Sequence, residues 1–296
     1  MSKPYLISAI GTPLDEDECL HLEGLQAHLE QQRAAHIDGI LVAGSMGLMQ
    51  LLRDQTYQQL VKESCRMWGQ HGEVLVGIGD AGFARTRDRL AFVDQLAVDG
   101  VVVLTPYLFK FSQAELVDYY EALANESRVP LYMYDLPALT GTPLEIETVL
   151  RLAQHPNIAG IKCSGDIAQV RLLKQLLPES GFRIIVAQPM LIDVLTRSGI
   201  DQHLDGVYSI APHWMREISQ LLTERKWDTA SEKVKRLGKL LILLRKTGVF
   251  QSMTVLQNAL GRPGNFAPRP FAPLDDEIRQ ALMNEPVVQE LMRNTE

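Results

Sequence analysis

Three residues at or just after the ends of apolar runs have side chains suited to carbonyl chemistry. Lys162 lies in AGIKCSGD, Tyr134 in PLYMYD, and Ser45 follows LVAG. Burial disfavours the charged form of an amine, and a neutral lysine attacks a carbonyl carbon to form a Schiff base. A tyrosine hydroxyl moves protons, and a serine hydroxyl beside backbone N–H groups holds a carboxylate. Together these residue types predict imine chemistry on a 2-oxo acid, with carbon–carbon bond formation or cleavage beside the carbonyl.

Each of these residues also has an ordinary structural explanation. A lone lysine at a strand end is more often solvated or ion-paired, and a strand tyrosine is more often packed against its neighbours. The loop GSMG is short, and glycine-containing loops of this kind are common. The chemistry therefore depends on whether the fold brings the three side chains to one place.

The order of the apolar runs predicts a fold that would do so. Eight short runs have the near-continuous apolar character of parallel strands covered on both faces. Their starts lie about 20 to 35 residues apart, the size of a βα unit. We therefore predict an α/β fold, a (β/α)8 TIM barrel, with the active site at the carboxyl ends of the strands. The predicted strands are residues 5–10, 39–44, 74–79, 100–105, 130–135, 158–163, 183–188 and 206–211.

Helical segments separate these runs and continue after the last of them. Ser112 and Glu115 have the spacing of a capping box at a helix start. A doubly wound sheet is the alternative fold, but no G-x-G-x-x-G motif follows the first strand. We place the barrel in residues 1–225 and a C-terminal helical extension in residues 226–296. Three further helical segments are predicted in that extension, at residues 227–248, 252–261 and 274–292.

The composition disfavours some classes of partner. The net charge of the 296 residues is −7, whereas nucleic acids and anionic membranes favour basic surfaces. The three cysteines, Cys19, Cys65 and Cys163, form neither a disulfide framework nor a CxxC pattern. No apolar run reaches the roughly 18 residues of a membrane span, and the apolar run near the start is too short for a signal peptide. We expect a cytoplasmic protein with no nucleic-acid or membrane partner.

Five motifs, taken in order, resemble those of one family. The chain is similar to the dihydrodipicolinate synthase / N-acetylneuraminate lyase family, which are class I pyruvate-handling aldolases on (β/α)8 barrels with a C-terminal helical domain. The resemblance covers the length of the chain, and the 28 residues between Tyr134 and Lys162 match the family's spacing. The motifs are GSMG at 44–47, TPY at 105–107, YDLP at 134–137, GIKCSGD at 160–166 and DGVYS at 205–209.

The resemblance implies a role for each matching residue. Lys162 would form the Schiff base with a 2-oxo acid, and Tyr134 would shuttle protons. Ser45 and the backbone of Met46 would bind the pyruvate carboxylate, and Tyr208 would line the pocket near it, mostly through its backbone. No metal or organic cofactor is implied, because the lysine itself acts as the electron sink. The resemblance also implies a homo-oligomer, a dimer or a tetramer.

Two further substrate-site candidates, Tyr107 and Leu139, bear on the choice of substrate. Leu139 stands where the synthase has a substrate-binding arginine, and Leu108 stands where it has a second tyrosine. Losing a bidentate carboxylate partner is a large change, so dihydrodipicolinate synthesis is not expected. PALTG resembles the sialic acid lyase, but Met190 and Leu191 stand where that lyase has an Asp-Glu pair. The departures predict an apolar pocket rim made of Met46, Leu48, Leu108, Leu139 and Met190.

The resulting prediction is an aldolase or lyase that acts between pyruvate and an aldehyde. The product or substrate would be a 2-keto-3-deoxy sugar acid or the aldol of a less polar aldehyde. A dehydratase that uses the same imine is one alternative. A non-catalytic protein that binds a 2-oxo acid is another, motivated by the GSMGLM loop and by Asp135, which stands where the family has asparagine. Cys163 is predicted to face the helices as a core residue, and neither His203 nor His213 has a spacing that indicates a metal site.

Overall fold

Eight parallel strands close into a barrel in the computed structural model, which describes residues 3–177 and 181–293. Each strand pairs with its neighbours in sequence, and β1 pairs with β8 to close the ring. The predicted (β/α)8 barrel is therefore confirmed. The strands are β1 Tyr5–Ala9, β2 Gly39–Val42, β3 Glu73–Gly77, β4 Gly100–Leu104, β5 Leu131–Asp135, β6 Ile158–Cys163, β7 Arg183–Val186 and β8 Gln202–Asp205.

Helices surround the barrel and extend beyond it. They are α1 Leu22–Ala34, α2 Asp54–Trp68, α3 Phe83–Val93, α4 Gln113–Glu126, α5 Pro137–Thr140, α6 Ile146–Leu152, α7 Ile167–Leu176, α8 Ile192–Arg197, α9 Val207–Ile210, α10 Pro212–Thr223, α11 Trp227–Thr247, α12 Val249–Ala259, α13 Asp276–Asn284 and α14 Pro286–Arg293. The capping box predicted from Ser112 and Glu115 is present at the start of α4.

The last four helices form the predicted C-terminal extension, and α11 packs against α8 and α10 of the barrel. The predicted helix at 274–292 is two helices, α13 and α14, separated at Glu285. The division into 1–225 and 226–296 remains an interpretation, and residues 1–2, 178–180 and 294–296 of those ranges lie outside the described residues. None of the helices that the structure describes has the length and apolarity of a membrane span.

The eighth strand lies earlier than predicted. Residues 206–211 contain the short helix α9, and the strand is the more polar sequence QHLD, Gln202–Asp205. Its polar side chains are satisfied in place: Gln202 Oε1 accepts a hydrogen bond of 2.9 Å from Arg183, and His203 bonds Thr196 at 3.0 Å. The apolar run was misleading because α9 packs its side chains into the core, which any apolar segment can do.

Strand alternation separates an inner cluster from the layer between strands and helices. The inner cluster includes Ile7, Leu41, Val102 and Ile185 from four strands. Within β6, Lys162 faces the barrel interior, as predicted, whereas Ile158 belongs to the outer layer. The prediction that both share one face was wrong, because the β5–β6 pairing shifts register between Leu131 and Tyr132. Such a bulge adds one residue to a strand, so the alternation of inward-facing and outward-facing side chains before the bulge does not continue after it.

An ionic network closes the amino-terminal end of the barrel interior. The Arg183 guanidinium pairs with the Glu73 carboxylate, donates to Gln202 and donates to the Tyr132 hydroxyl at 3.0 Å. The guanidinium also lies over the Tyr5 ring, 5.5 Å from its centroid. This end of the barrel is therefore filled, and the opposite end remains available for a site.

Candidate active site

A cavity of about 470 Å³ lies at the carboxyl ends of the strands. Its walls come from strand ends on one side and from α11 and α12 on the other. The residues that line it are Ala9, Ser45, Met46, Tyr134, Leu136, Leu139, Lys162, Ser164, Ala187, Asp205, Gly206, Val207, Ile210, Leu241, Leu244, Arg245, Val249 and Phe250. A volume of this size is typical of small-molecule sites.

The structure brings together the three residues with which the sequence analysis began. Ser45 Oγ lies 3.0 Å from the Tyr134 hydroxyl, and Lys162 Nζ lies 3.5 Å from the centroid of the Tyr134 ring. Tyr134 and Lys162 are register partners on β5 and β6, so strand pairing alone makes their side chains neighbours. Lys162 is only 3% exposed. A buried amine, a phenol and a hydroxyl therefore adjoin within one cavity.

The loop that carries Ser45 is held in a strained shape. Ala43 and Leu48, on either side of it, have positive φ angles of 53° and 51°, which non-glycine residues seldom adopt. Thr12 Oγ1 donates a 2.7 Å hydrogen bond to the Gly47 carbonyl and ties the loop to the chain after β1. Within the described part of the chain, the N–H groups of residues 45–47 bond no backbone carbonyl. A ligand carboxylate could accept from these N–H groups.

Asp205 is a charged residue of the cavity that the sequence analysis did not select. It ends β8, and its Oδ1 accepts a 2.9 Å hydrogen bond from the Val207 N–H. Burial raises the pKa of Asp205, while the bond from Val207 and the charges of Lys162 and Arg245 oppose that rise. The error in placing the eighth strand concealed this residue, because the strand was predicted to begin at residue 206, one position after Asp205. The available signal was an acidic residue at the start of the DGVYS motif, directly before Gly206 and Val207.

The wall opposite the strand ends comes from the C-terminal helices and is apolar apart from Arg245 of α11. Leu241 and Leu244 lie on α11, and Val249 and Phe250 lie at the start of α12. Sequence patterns within the barrel could not identify these residues, because they lie far along the chain in a different predicted domain. Their proximity depends on how α11 packs against the barrel.

The predicted apolar rim is only partly correct in its membership. Met46 and Leu139 line the cavity, but Leu48, Leu108 and Met190 are absent from its lining. Leu108 is 81% exposed on the loop after β4, and Met190 packs beside Gly238 of α11. Leu136, Leu241, Leu244, Val249 and Phe250 nevertheless supply apolar surface to the lining, beside the charged residues Asp205 and Arg245.

Two predicted substrate-site residues lie outside the lining. Tyr208 is fully buried in the outer core, because the helical repeat of α9 directs Val207 and Ile210 toward the cavity and Tyr208 away from it. The Tyr107 hydroxyl instead donates to Asp80 Oδ1 at 3.4 Å, and burial and the Asp80 charge raise the pKa of Tyr107. Neither side chain therefore lines the cavity, and the expected role of the Tyr208 backbone stays a prediction.

Asp135 and Cys163 face the layer between strands and helices. Asp135 Oδ1 accepts a 3.0 Å hydrogen bond from the Leu144 N–H, which an asparagine oxygen could accept equally well. Cys163 is buried in the outer core as predicted, and burial raises the pKa of its thiol. Within residues 3–177 and 181–293, no group of three or more His, Cys, Asp or Glu side chains is placed to hold a metal ion.

Comparisons with known proteins agree with this arrangement. A sequence profile of the dihydrodipicolinate synthetase family matches residues 4–287. A 4-hydroxy-tetrahydrodipicolinate synthase of Stenotrophomonas maltophilia strain R551-3 is 32% identical over 222 residues, covering 75% of this chain and 74% of that protein. An N-acetylneuraminate lyase of Salmonella paratyphi B is 27% identical over 301 residues, covering 97% of this chain and 96% of that protein.

The barrel also superposes on solved structures. A chloride-inhibited dihydrodipicolinate synthase from Acinetobacter baumannii, complexed with pyruvate, matches with a TM-score of 0.88 at 24% identity. The match covers 98% of this chain and 99% of that chain. At this identity the likeness concerns the fold.

Proposed function

Because the chain belongs to the dihydrodipicolinate synthetase family, we propose that it is a class I aldolase or lyase acting between pyruvate and an aldehyde. The observation that carries the proposal is the contact of Ser45, Tyr134 and Lys162 in one cavity. The relatives' names include a synthase and a lyase, which are the two directions of such a reaction. We do not propose dihydrodipicolinate synthesis, because Leu139 offers no partner for a second carboxylate.

Each residue has a defined part in the proposed reaction. The Lys162 amine adds to the C2 carbonyl of pyruvate, and loss of water leaves an iminium ion. Loss of a C3 proton gives an enamine, whose C3 attacks the aldehyde carbon while the aldehyde oxygen gains a proton. Water then hydrolyses the new iminium and releases a 4-hydroxy-2-oxo acid together with the free amine. Cleavage runs through the same steps in reverse.

Tyr134 and Ser45 would handle the protons and the carboxylate of this substrate. The Lys162 amine lies against the Tyr134 ring and the Tyr134 hydroxyl lies 3.0 Å from Ser45 Oγ, so we assign to this hydroxyl the transfer of a proton between the carbinolamine and the leaving water. The Ser45 hydroxyl and the free N–H groups of the Ser45–Gly47 loop would hold the pyruvate carboxylate. Asp135 gives no support to the non-catalytic alternative, because it faces away from the cavity and makes a structural hydrogen bond.

The test is reductive trapping of the imine. The protein is incubated with pyruvate and sodium borohydride, and the modified peptide is identified by mass spectrometry. We expect a pyruvate-derived adduct on Lys162, its loss in Lys162→Ala, and its retention in Lys174→Ala, which removes an exposed lysine of α7. An unlabelled Lys162 in folded protein would rule out the proposal.

A dehydratase using the same imine is distinguished by its products. Release of pyruvate together with an aldehyde identifies carbon–carbon cleavage, whereas release of a 2,5-dioxo or other dehydrated acid without an aldehyde identifies dehydration. The homo-oligomeric assembly and the cytoplasmic location remain predictions. Light scattering of the purified protein tests the assembly.

A further inference from the structure

We infer that the aldehyde half of the substrate has an apolar body, aliphatic or aryl, and is not a polyhydroxylated sugar. This inference rests on the proposed function, since it names the partner of pyruvate at the same site. It begins from the division of the cavity into two parts with different chemistry. Lys162, Tyr134 and Ser45 adjoin at one part, and the remaining lining must contact whatever the enamine attacks.

The surface available to the aldehyde is largely hydrocarbon. Leu136 directly follows β5 and Leu139 lies in the short helix α5, while Val207 and Ile210 come from α9. The apolar part of the wall across from them is made of Leu241, Leu244, Val249 and Phe250, and Arg245 lines the cavity beside them. Eight apolar side chains from four separate segments therefore face the space that the carbons of pyruvate leave unfilled. Burial of apolar substrate surface against them is favourable.

The polar groups of this lining do not form a sugar-binding set. Asp205 already accepts hydrogen bonds from backbone N–H groups, and the positive charges of Lys162 and Arg245 favour its ionised form. Besides Ser45 and Tyr134, the lining has the hydroxyl of Ser164, whose buried Oγ has no hydrogen-bond partner among the described residues, and the guanidinium of Arg245 from α11. These two groups are too few to partner every hydroxyl of a sugar chain. A sugar chain carries a hydroxyl on nearly every carbon, and each one buried here without a partner would weaken binding. An apolar chain has no such requirement.

The arrangement also explains why the apolar wall lies on the C-terminal helices. Gly248, with a φ of 91°, separates α11 from α12 and turns the chain. That turn places Val249 and Phe250 beside Leu244 at the same cavity. The extension thus completes the aldehyde pocket, while the barrel supplies the imine chemistry.

The test compares aldehydes as acceptors for pyruvate in one assay. Butanal and benzaldehyde represent apolar bodies, and glyceraldehyde and erythrose represent polyhydroxylated ones. We expect kcat/KM for at least one apolar aldehyde to exceed that for both sugars by about tenfold or more, the scale of discrimination by an apolar pocket. A higher kcat/KM for either sugar would overturn the inference.

A matched pair of variants links the preference to the wall. Leu139→Ser changes an exposed side chain that lines the cavity, and Leu108→Ser changes an exposed side chain on a neighbouring loop outside it. We expect Leu139→Ser to lower the ratio of apolar to sugar kcat/KM severalfold, with KM for pyruvate unchanged, and Leu108→Ser to leave the ratio unchanged. Equal ratios in Leu139→Ser and the unmodified protein would contradict the assignment of the wall.

Borohydride trapping with pyruvate alone separates the two levels of failure. Labelling of Lys162 together with a preference for sugars overturns this inference and leaves the proposed function standing. Absence of labelling overturns the proposed function and this inference with it.

Discussion

Tyr134 contacts both of the other two residues of the proposed imine site, Lys162 and Ser45. Its ring lies against Lys162 Nζ, and its oxygen lies against Ser45 Oγ. Packing and proton transfer are therefore separable in this side chain, since a phenylalanine would keep the first and lose the second. That separation makes Tyr134 the most informative position for substitution.

We predict that Tyr134→Phe lowers kcat by about 10² to 10⁴-fold, the usual contribution of a positioned acid–base group. The free energy of unfolding should fall by about 1 kcal/mol or less, because the ring contacts remain and only the hydrogen bond to Ser45 is lost. Tyr120→Phe is the matched control, since it removes a buried hydroxyl bonded to the Val103 carbonyl in the outer layer. The control should lose about 1 kcal/mol of stability and keep its kcat. A Tyr134→Phe protein with unchanged kcat would exclude the assigned proton transfer.

His203 is buried without charge at the outer face of β8. Burial lowers the pKa of His203 to about 4, against an ordinary value of 6.5. The unfolded chain therefore binds a proton on this imidazole more readily than the folded chain does. The contribution of neutral His203 to the free energy of unfolding is complete at neutral pH and is lost as pH falls from about 6.5 to about 4. This lowering of the pKa corresponds to about 3 kcal/mol of unfolding free energy.

We predict that His203→Gln reduces the loss of unfolding free energy between pH 7 and pH 5 by about 2 kcal/mol. Glutamine keeps a partner for Thr196, so the comparison isolates the titration. His71→Gln, which removes an exposed histidine, should leave the pH dependence as it is. Urea unfolding at the two pH values measures the effect. The same pH dependence in His203→Gln and the unmodified protein would contradict the assigned cause.

At the scale of elements, the short helix α9 connects the C-terminal extension to the cavity. Its Ser209 carbonyl accepts hydrogen bonds from Gln32, Gln257 and Arg262, at 3.2, 3.3 and 3.1 Å. Arg262 is 2% exposed, and burial lowers its pKa to about 9, so it is charged at neutral pH. A buried guanidinium directed at the carbonyl end of a helix is favourable, because that end carries partial negative charge. The contact fixes the turn that directs Val207 and Ile210 into the cavity.

We predict that Arg262→Met lowers the free energy of unfolding by about 2 kcal/mol, because charged hydrogen bonds to buried carbonyls are lost. KM for the aldehyde should rise while borohydride labelling of Lys162 by pyruvate persists, since the imine residues lie on other elements. Arg262→Lys should restore part of the binding. Arg171→Met, an exposed substitution on α7, is the control. An unchanged aldehyde KM in Arg262→Met would limit Arg262 to a purely structural role.

At the scale of the whole molecule, the two ends of the barrel interior have different tasks. The amino-terminal end is filled by Arg183, Glu73, Tyr132 and Gln202. The carboxyl end carries the cavity. In barrels of this kind, stability and chemistry are commonly divided between the two faces. A substitution in the network should therefore affect one property and spare the other.

We predict that Glu73→Gln lowers the free energy of unfolding by about 3 kcal/mol, because the Arg183 charge loses its partner. The kcat of the remaining folded protein should be unchanged. The double variant Glu73→Gln with Arg183→Met should recover part of the stability, since no unpaired charge is left. Chemical unfolding and initial rates measure the two effects. A loss of kcat in proportion to stability would show that the two ends of the barrel are coupled.

The sequence by itself determined the barrel, the inward direction of Lys162 and its grouping with Tyr134 and Ser45. These features depend on strand periodicity and on parallel pairing, which are local or repeat from unit to unit. Strand eight was misplaced because its polar residues, Gln202 and His203, find their partners only in the folded barrel.

Only the tertiary structure decided which apolar side chains line the cavity opposite Lys162. Leu244 and Phe250 reach it because α11 packs across the barrel, and Tyr208 leaves it because α9 is helical. Such contacts join segments far apart in the chain, and their presence depends on the packing of whole helices. The spacing of apolar residues within a helix does not indicate which other element that helix will contact in the folded protein.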